Sequence, residues 1–262
     1  MGKNKQTIDI DRRQAIKDIY RLNRYYLDDR FVIKDGKQHK CAILCPGGGY
    51  SFVCSFIEGV PIARKLNAMG ISAFIVYYRV RKKALYPNPQ DDLARAILEI
   101  CEKADIYQVD MADYSIWGAS AGGHLAASMG TTLMGYKKFN LPKPGAIVLT
   151  YPVVTLEKKL THQGTRNNLL GKNADEAKAQ KYSVDKNVDA NYPPTYIWCG
   201  DADTTVPPVN SKMMANALKQ NHIPYQCDIF PGVGHGVGPA TETSAECWIN
   251  HAVEFWLHEH NL

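Results

Sequence analysis

The chain has 262 residues, 45% of them hydrophobic, which suits one well-buried domain spanning residues 1–262. No stretch approaches the roughly 20 consecutive apolar residues of a membrane-spanning helix, so no membrane partner is expected. The net charge of +5 lies in residues 1–40, which hold 11 Lys and Arg against 6 Asp and Glu, while the rest is balanced. Tyrosines do lie among arginines in this segment, but we favour a solvated helix face or a homo-oligomer contact and expect no nucleic-acid partner.

The N-terminal residues carry three weaker signals. Met1 to Gln6 are polar and lack the apolar segment of a secretory signal, so the sequence predicts a cytoplasmic protein. Residues 12–27 are interpreted as a helix capped by Asp11, and residues 31–45 as a hairpin that turns at Asp35-Gly36. We treat residues 1–40 as an N-terminal extension to which the sequence assigns no role.

From residue 41 onward, short apolar runs alternate with helical patterns. Strands are predicted at residues 41–45, 71–78, 114–117, 146–151, 196–199 and 225–230, and helices at residues 60–68, 91–103, 121–133, 209–220 and 245–258. This alternation is typical of an α/β fold with a mainly parallel central sheet and helices on both faces. A polar stretch over residues 155–188 interrupts it, and we interpret residues 155–190 as a small polar cap insertion above the sheet.

The sequence Gly118-Ala119-Ser120-Ala121-Gly122 lies between a predicted strand and a predicted helix and fits the pattern G-x-S-x-G. In that setting the serine occupies a strained turn, and small residues two positions to either side let the strand and the helix approach closely. The helix directs its N-terminus and the Ala121 N–H at the reacting oxygen. The strand–turn–helix setting favours this interpretation over a chance loop, and Ser120 is predicted to be a nucleophile.

Three consecutive glycines follow an earlier strand in the run Cys45-Pro46-Gly47-Gly48-Gly49-Tyr50. Glycines are costly in backbone entropy, and they are explained where the backbone must approach a ligand. A glycine loop in this place supplies a second N–H to an oxyanion hole, although Pro46 stands where lipases have histidine. Tyr50 is a candidate substrate-binding residue. The alternatives are a flexible turn or a phosphate loop, but no nucleotide-binding motif is complete here.

Two later loops follow predicted strands, and each carries a residue type used in catalysis. Asp201 and Asp203 lie in the first loop, and His235 lies in the second between two glycines. The carboxyl ends of parallel strands are where this architecture gathers its sites. The glycines favour a base over a core histidine. Val206-Pro207 follows Asp203 at a spacing that resembles the one in α/β-hydrolases, which favours Asp203 over Asp201 as the acid. The order Ser120, Asp203, His235 is the order of α/β-hydrolases.

Several runs along the chain, taken together, match one known pattern in unbroken order over roughly residues 41–258. They are Cys45 to Ser51, Glu58 to Ala63, Tyr86 to Leu93, Gly118 to Ala126, Asn168 to Gly171, and the Asp203 and His235 loops. These runs resemble the acetyl-xylan-esterase-like branch of bacterial α/β-hydrolases. The resemblance implies the α/β-hydrolase fold and a small esterase that removes acetyl or similar groups, often from carbohydrates. It implies the triad Ser120, Asp203 and His235, with Gly48, Gly49 and Ala121 as oxyanion donors.

The main hypothesis is a serine esterase that hydrolyses short-chain, acetyl-type carboxylic esters through an acyl-enzyme on Ser120. Residues 155–188 are charged and amide-rich, unlike the apolar face of a lipase lid, which favours a water-soluble small-molecule ester. Two alternatives stay open, a peptidase or amidase with the same three residues and a non-catalytic binding protein of this fold. Peptidases of this fold usually carry a large extra domain, and a binding protein usually lacks a triad member. The seven cysteines have no CxxC spacing and no pattern of zinc ligands supports a metal site, so no metal is predicted. No other cofactor is predicted either.

Overall fold

The computed structural model describes residues 25–258, and within this range the chain forms a seven-stranded sheet. The strands are β1 (Tyr26–Phe31), β2 (His39–Cys45), β3 (Ser72–Tyr77), β4 (Val109–Ala119), β5 (Ala146–Thr150), β6 (Thr195–Gly200) and β7 (Tyr225–Phe230). Their order across the sheet is β1-β3-β2-β4-β5-β6-β7. Neighbouring strands are parallel except β1 and β3, so the prediction of a mainly parallel sheet is confirmed.

Helices pack against the sheet in two groups. They are α1 (Ser55–Glu58), α2 (Val60–Ala68), α3 (Asn88–Glu102), α4 (Ala104–Tyr107), α5 (Ser120–Gly130), α6 (Gln163–Leu170), α7 (Glu176–Tyr182), α8 (Val209–Gln220) and α9 (Trp248–His258). Helix α5 packs on β2, β4, β5 and α3, whereas α2 packs on β3 and α9. With both faces covered, β3, β5 and β6 are buried at every position, which explains why they are continuous apolar runs in the sequence.

Several predicted elements have the bounds that the sequence indicated. Helices α2 and α8 and strand β7 begin and end at the predicted residues. Strand β4 is longer than predicted, because it begins at Val109 rather than at residue 114. Its residues 110–113 are partly or fully exposed and carry little apolar signal, so only the buried second half was visible in the sequence.

The predicted hairpin over residues 31–45 is wrong. A turn is present, where the Asp35 side chain accepts from the Lys37 N–H at 3.1 Å and Gly36 has a φ of +87°. The flanking strands β1 and β2 do not pair, because β3 lies between them. Strand β3 is fully buried and needs a neighbour on each side, and the half-exposed β1 suits the edge of the sheet.

The predicted helix at residues 12–27 lies mostly outside the described residues. Its last two positions, Tyr26 and Leu27, belong to β1 and pair with Tyr77 and Val76. The helix prediction is therefore wrong at its C-terminal end. These two residues are extended because they pair with β3 at the edge of the sheet, and a helical pattern in the sequence does not report such pairing.

Residues 155–190 contain α6, α7 and a 3₁₀ turn at Val184–Lys186. Despite its polar composition, the segment has a packed interior around Arg166, which is 5% exposed. Its guanidinium donates to the carbonyl oxygens of Leu156 and Ala174 at 2.6 and 2.7 Å and lies 3.1 Å from the Glu176 carboxylate. Charge-assisted hydrogen bonds of this kind offset the cost of burying the cation. None of the helices between residues 25 and 258 has the length and hydropathy needed to span a membrane.

Candidate active site

Ser120 lies at a sharp turn between β4 and α5. Its φ of +52° is in the left-handed region, which a residue with a Cβ rarely adopts. Backbone strain of this kind costs on the order of 1–3 kcal/mol and clusters at functional sites. The turn needs glycines around it: a Cβ at Gly122 would lie 1.9 Å from the Cys45 carbonyl oxygen, and one at Gly118 would lie 2.3 Å from the Gly122 carbonyl oxygen. The G-x-S-x-G spacing therefore has a steric explanation.

Ser120, His235 and Asp203 form a continuous hydrogen-bonded row. His235 Nε2 lies 2.9 Å from Ser120 Oγ, and His235 Nδ1 lies 2.6 Å from Asp203 Oδ2. The carboxylate keeps a proton on Nδ1, which leaves Nε2 free to accept the serine proton. Asp203 is buried, so its charge acts on the imidazole with little screening by solvent. The arrangement can activate a serine for nucleophilic attack.

The two aspartates that compete for the acid have different surroundings. Asp203 Oδ1 accepts from the N–H groups of Thr205 and Val206 at 2.9 Å each, which turns Oδ2 toward the imidazole. Asp201 is exposed, and its Oδ1 accepts from the Gly232 N–H at 2.7 Å. Asp203 therefore has the position of the acid, and Asp201 joins the two loops that follow β6 and β7.

The glycine loop directs two backbone N–H groups away from its own interior. The Gly47 and Gly48 carbonyls accept from the N–H groups of Cys54 and Ser51, each at 2.9 Å. Because a trans peptide holds its C=O and the next N–H on opposite sides, the N–H groups of Gly48 and Gly49 point the other way. Among the described residues, neither N–H has a protein acceptor. Both are available to a bound oxyanion.

This loop meets the start of α5 at Ser120. A Cβ on Gly47 would lie 2.8 Å from Ser120 Cβ, so the loop backbone is in contact with the turn. Helix α5 begins at Ser120, and the first N–H groups of a helix, which here include that of Ala121, have no acceptor within the helix and carry partial positive charge. The three predicted donors Gly48, Gly49 and Ala121 thus belong to two segments that converge on the serine.

Tyr50, the predicted substrate-binding residue, is fully buried. Its hydroxyl lies 3.2 Å from His124 Nδ1, and its ring packs edge-on against Tyr78 with 5.7 Å between ring centroids. Its carbonyl oxygen accepts from the Arg81 N–H at 2.7 Å. The prediction is therefore wrong for the side chain, because the turn at Tyr50 directs the ring into the core. Tyr50 supports the glycine loop and does not face a substrate.

His124 is a buried histidine on the same helix as the serine. Its Nε2 lies 3.0 Å from the Tyr182 carbonyl oxygen and so carries the proton, which leaves Nδ1 to accept from the Tyr50 hydroxyl. Burial lowers the pKa of His124 to about 4. A neutral imidazole one turn after Ser120 therefore connects α5 to the end of α7.

This burial predicts a pH dependence of folding stability. In the unfolded chain His124 titrates near 6.5, so between that pH and about 4 the unfolded state binds a proton that the folded state excludes. The free energy of unfolding is therefore unaffected by the protonation of His124 above the unfolded pKa. It decreases as the pH drops to the folded pKa, by about 3 kcal/mol for a shift of this size. When urea unfolding is measured from neutral to acidic pH, the free energy of unfolding should decrease less for His124→Gln than for the wild type. Parallel curves would contradict the assignment.

The family of this chain follows from its sequence match. The sequence model of the BD-FAE family matches residues 34–218. The chain belongs to the BD-FAE family. The α/β-hydrolase fold is confirmed by a solved relative, the acetyl ester-xyloside bifunctional hydrolase from Caldicellulosiruptor lactoaceticus. That structure is 33% identical with a TM-score of 0.81, over 90% of this chain and 88% of the other.

Two further relatives of this BD-FAE chain are longer proteins. An acetylxylan esterase of Xylanibacter ruminicola is 30% identical over 201 residues, which cover 75% of this chain and 40% of that protein. An endo-1,4-beta-xylanase B of Butyrivibrio fibrisolvens is 31% identical over 227 residues, which cover 83% of this chain and 35% of that protein. The match thus spans well under half the length of either relative. The resemblance to acetyl-xylan-esterase-like hydrolases, found from short runs, is confirmed.

Asn168 of the BD-FAE chain contacts the glycine loop, a role that the sequence alone did not reveal. Its Nδ2 donates to the Gly49 carbonyl oxygen and to Ser51 Oγ, both at 2.8 Å. These bonds hold the end of the loop against α6. The run Asn168 to Gly171 was part of the resemblance, so a signal existed, but the two partners lie more than a hundred positions away in the sequence.

His162 is a second residue from the predicted cap that lies close to the site. It caps α6 with Nδ1, which accepts from the Thr165 N–H at 3.3 Å, so the proton lies on Nε2. A Cβ on Gly49 would lie 3.2 Å from His162 Cε1, which places the imidazole against the glycine loop. Burial and then the charge of His235 lower the pKa of His162, whereas the charge of Asp203 acts in the opposite direction. His162 therefore lies beside the loop with a pKa below the ordinary value of a histidine.

Proposed function

We propose that the protein is a serine esterase that hydrolyses short-chain, acetyl-type carboxylic esters, including those of carbohydrates, through an acyl-enzyme on Ser120. The observation that carries the proposal is the row from Ser120 Oγ to His235 at 2.9 Å and from His235 to Asp203 at 2.6 Å. The class of ester is suggested by the relatives, one named an acetylxylan esterase and another an acetyl ester-xyloside bifunctional hydrolase.

In the first half of the reaction, Ser120 Oγ attacks the ester carbonyl carbon while His235 Nε2 accepts the serine proton. The Asp203 carboxylate stabilises the imidazolium that forms. The N–H groups of Gly48, Gly49 and Ala121 donate to the carbonyl oxygen as it becomes an oxyanion. His235 then gives its proton to the alcohol oxygen, the carbon–oxygen bond breaks, and the acyl group stays on Ser120.

In the second half, water takes the place of the alcohol. His235 Nε2 accepts a proton from the water as its oxygen attacks the acyl carbon, and the same N–H groups stabilise the second oxyanion. His235 returns that proton to Ser120 Oγ, and the carboxylic acid leaves. Each group thus acts twice, and no cofactor enters either half.

The test compares an ester with an amide and traps the nucleophile. We expect the purified protein to turn over 4-nitrophenyl acetate and to leave an alanine 4-nitroanilide nearly untouched. A serine-reactive fluorophosphonate should add to Ser120, which peptide mass spectrometry locates. A preference for the anilide would support the peptidase alternative. No turnover of either substrate and no adduct would support the binding-protein alternative.

Among acyl groups we expect acetyl to be preferred over chains of eight or more carbons. A long chain gains about 0.8 kcal/mol per methylene only where apolar surface encloses it. The apolar side chains that follow the glycine loop do not enclose one, because Phe52, Phe56 and Ile57 are 52%, 86% and 42% exposed and Val53 packs into the core. The measurement is kcat/KM over 4-nitrophenyl esters from acetate to decanoate. A maximum at octanoate or beyond would contradict the acetyl preference.

A cavity lies beside the end of the glycine loop. A cavity of about 600 Å³ adjoins the glycine loop at Ser51 and Phe52 and extends along residues 80–83. Its volume is in the range of small-molecule pockets, but its lining does not include Ser120, Asp203 or His235, so we do not assign it to the ester. A cytoplasmic location, a cap formed by residues 155–190 and a homo-oligomer stay predictions from the sequence.

A further inference from the structure

Glu58 is a buried carboxylate beside the proposed catalytic groups. It is the last residue of α1 and is 5% exposed. Burial raises its pKa, whereas hydrogen bonds from Gly47 and Tyr151 and the charge of His235 lower it. Burying a carboxylate costs free energy unless each oxygen has a partner. Here both oxygens are occupied, and the partners belong to different parts of the site.

The first oxygen holds the glycine loop. Glu58 Oε2 accepts from the Gly47 N–H at 2.8 Å. On the other side of Gly47, its carbonyl oxygen accepts from the Cys54 N–H at 2.9 Å. With both ends of Gly47 bound, the peptide that carries the Gly48 N–H has a fixed orientation. Glu58 thereby sets the direction of a proposed oxyanion donor without contacting it.

The second oxygen holds the loop that follows β7 and carries His235. Glu58 Oε1 accepts from the Tyr151 hydroxyl at 3.0 Å, and that hydroxyl accepts from the Gly238 N–H at 3.1 Å. Gly238 lies three residues after His235. The Tyr151 ring also packs against the His235 ring, with 4.7 Å between the centroids. Tyr151 therefore supports the imidazole with its ring and anchors the loop with its hydroxyl.

We propose that Glu58 is a positioning residue that holds the glycine loop and the loop that carries His235 in one fixed geometry. It does so through Gly47 on one side and Tyr151 on the other. The proposal rests on the proposed esterase function. Oxyanion donors and the base act on charges that develop in the transition state. A loss of their alignment should therefore lower kcat and leave KM nearly unchanged, because Glu58 is too buried to bind the ester.

Two substitutions separate the two sides of the carboxylate. In Glu58→Gln the amide oxygen can still accept from the Gly47 N–H, but the amide nitrogen then meets the Tyr151 oxygen, which already accepts from Gly238. In Tyr151→Phe the carboxylate and the ring against His235 are kept, and only the hydroxyl is lost. Glu58→Ala removes both connections. We expect kcat to fall less in Glu58→Gln and Tyr151→Phe, which each lose one connection, than in Glu58→Ala, which loses both.

A matched control exists elsewhere in the chain. The Tyr25 hydroxyl donates to the Glu99 carboxylate at 2.7 Å, the same type of pair, and Glu99 lies in the last turn of α3. Glu99→Gln should leave kcat and KM at wild-type values. All variants are compared with 4-nitrophenyl acetate, and kcat is expressed per active site titrated with fluorophosphonate. Thermal unfolding is recorded alongside, so that misfolded protein does not enter the rate.

For Glu58→Gln we expect kcat per titrated site to fall about 10²-fold, the size of effect that misplaced catalytic groups produce. Tyr151→Phe should fall less, with KM within about threefold of wild type for both. A normal kcat per titrated site with only a lower melting temperature would overturn the proposal and make Glu58 a structural residue. A rise in KM with kcat retained would overturn it as well.

The two proposals fail in different ways. An active wild-type protein whose Glu58 and Tyr151 variants match the Glu99→Gln control would overturn the positioning role alone. A wild-type protein that neither hydrolyses the ester nor binds fluorophosphonate would overturn the esterase function and the positioning role with it. If Glu58→Gln does not fold, Tyr151→Phe decides the question, because it keeps the buried carboxylate and the aromatic packing.

Discussion

Replacing Ser120 by alanine is expected to lower kcat for acetyl ester hydrolysis by about 10⁶, the loss typical of removing a triad nucleophile. The reason is that, within residues 25–258, the row of hydrogen bonds from Asp203 and His235 ends at Ser120 Oγ, the proposed acceptor of the acyl group. The fold should be unaffected or slightly stabilised, although alanine still has to adopt the left-handed φ of +52°. The measurement is release of 4-nitrophenol from the acetate ester by the purified variant.

A matched control for this variant lies on the same helix. Ser128 is buried on α5, and its hydroxyl donates to the Leu125 carbonyl oxygen at 2.7 Å. Ser128→Ala should retain most of the wild-type rate, since this hydroxyl only completes a backbone contact. If Ser120→Ala kept a tenth of the wild-type rate, another nucleophile would have to be sought.

Asp203→Asn is expected to lower kcat by roughly 10⁴, as in the best-studied serine protease triad. Asp203 Oδ1 accepts from two backbone N–H groups, so an asparagine would keep its oxygen there and turn its NH₂ toward His235. A donor facing Nδ1 forces the proton onto Nε2. The imidazole could then no longer accept the proton of Ser120.

Asp201→Asn serves as the comparison for that variant. Its carboxylate accepts one N–H from Gly232, which an amide oxygen can also do, so we expect a loss of less than about tenfold. Both variants are measured with 4-nitrophenyl acetate under identical conditions. The reverse ranking would move the acid to Asp201 and refute the assignment based on the hydrogen bonds of Asp203.

Much of the sheet was predictable because its signals are local. For strands such as Tyr225–Phe230 and helices such as Val60–Ala68, the spacing of apolar residues and the residues that end the element lie within a dozen positions. Strand pairing is not local in this way. The Asp35-Gly36 turn indicated a hairpin, yet β3, about 40 residues later, lies between β1 and β2. A buried strand competes for neighbours across the whole chain, and a turn motif carries no information about that competition.

What the sequence by itself determined is the set of candidate chemical groups: a serine between glycines at a strand–helix junction, a glycine loop, and an aspartate and a histidine after later strands. Only the tertiary structure decided how they meet. It brings His235 within hydrogen-bond distance of Ser120, 115 positions away, and buries Tyr50 beneath the loop where the sequence had suggested a substrate contact. It also joins Glu58 to Tyr151, 93 positions apart. A motif depends on backbone geometry over a few residues, whereas burial and these contacts depend on how distant strands pack side by side.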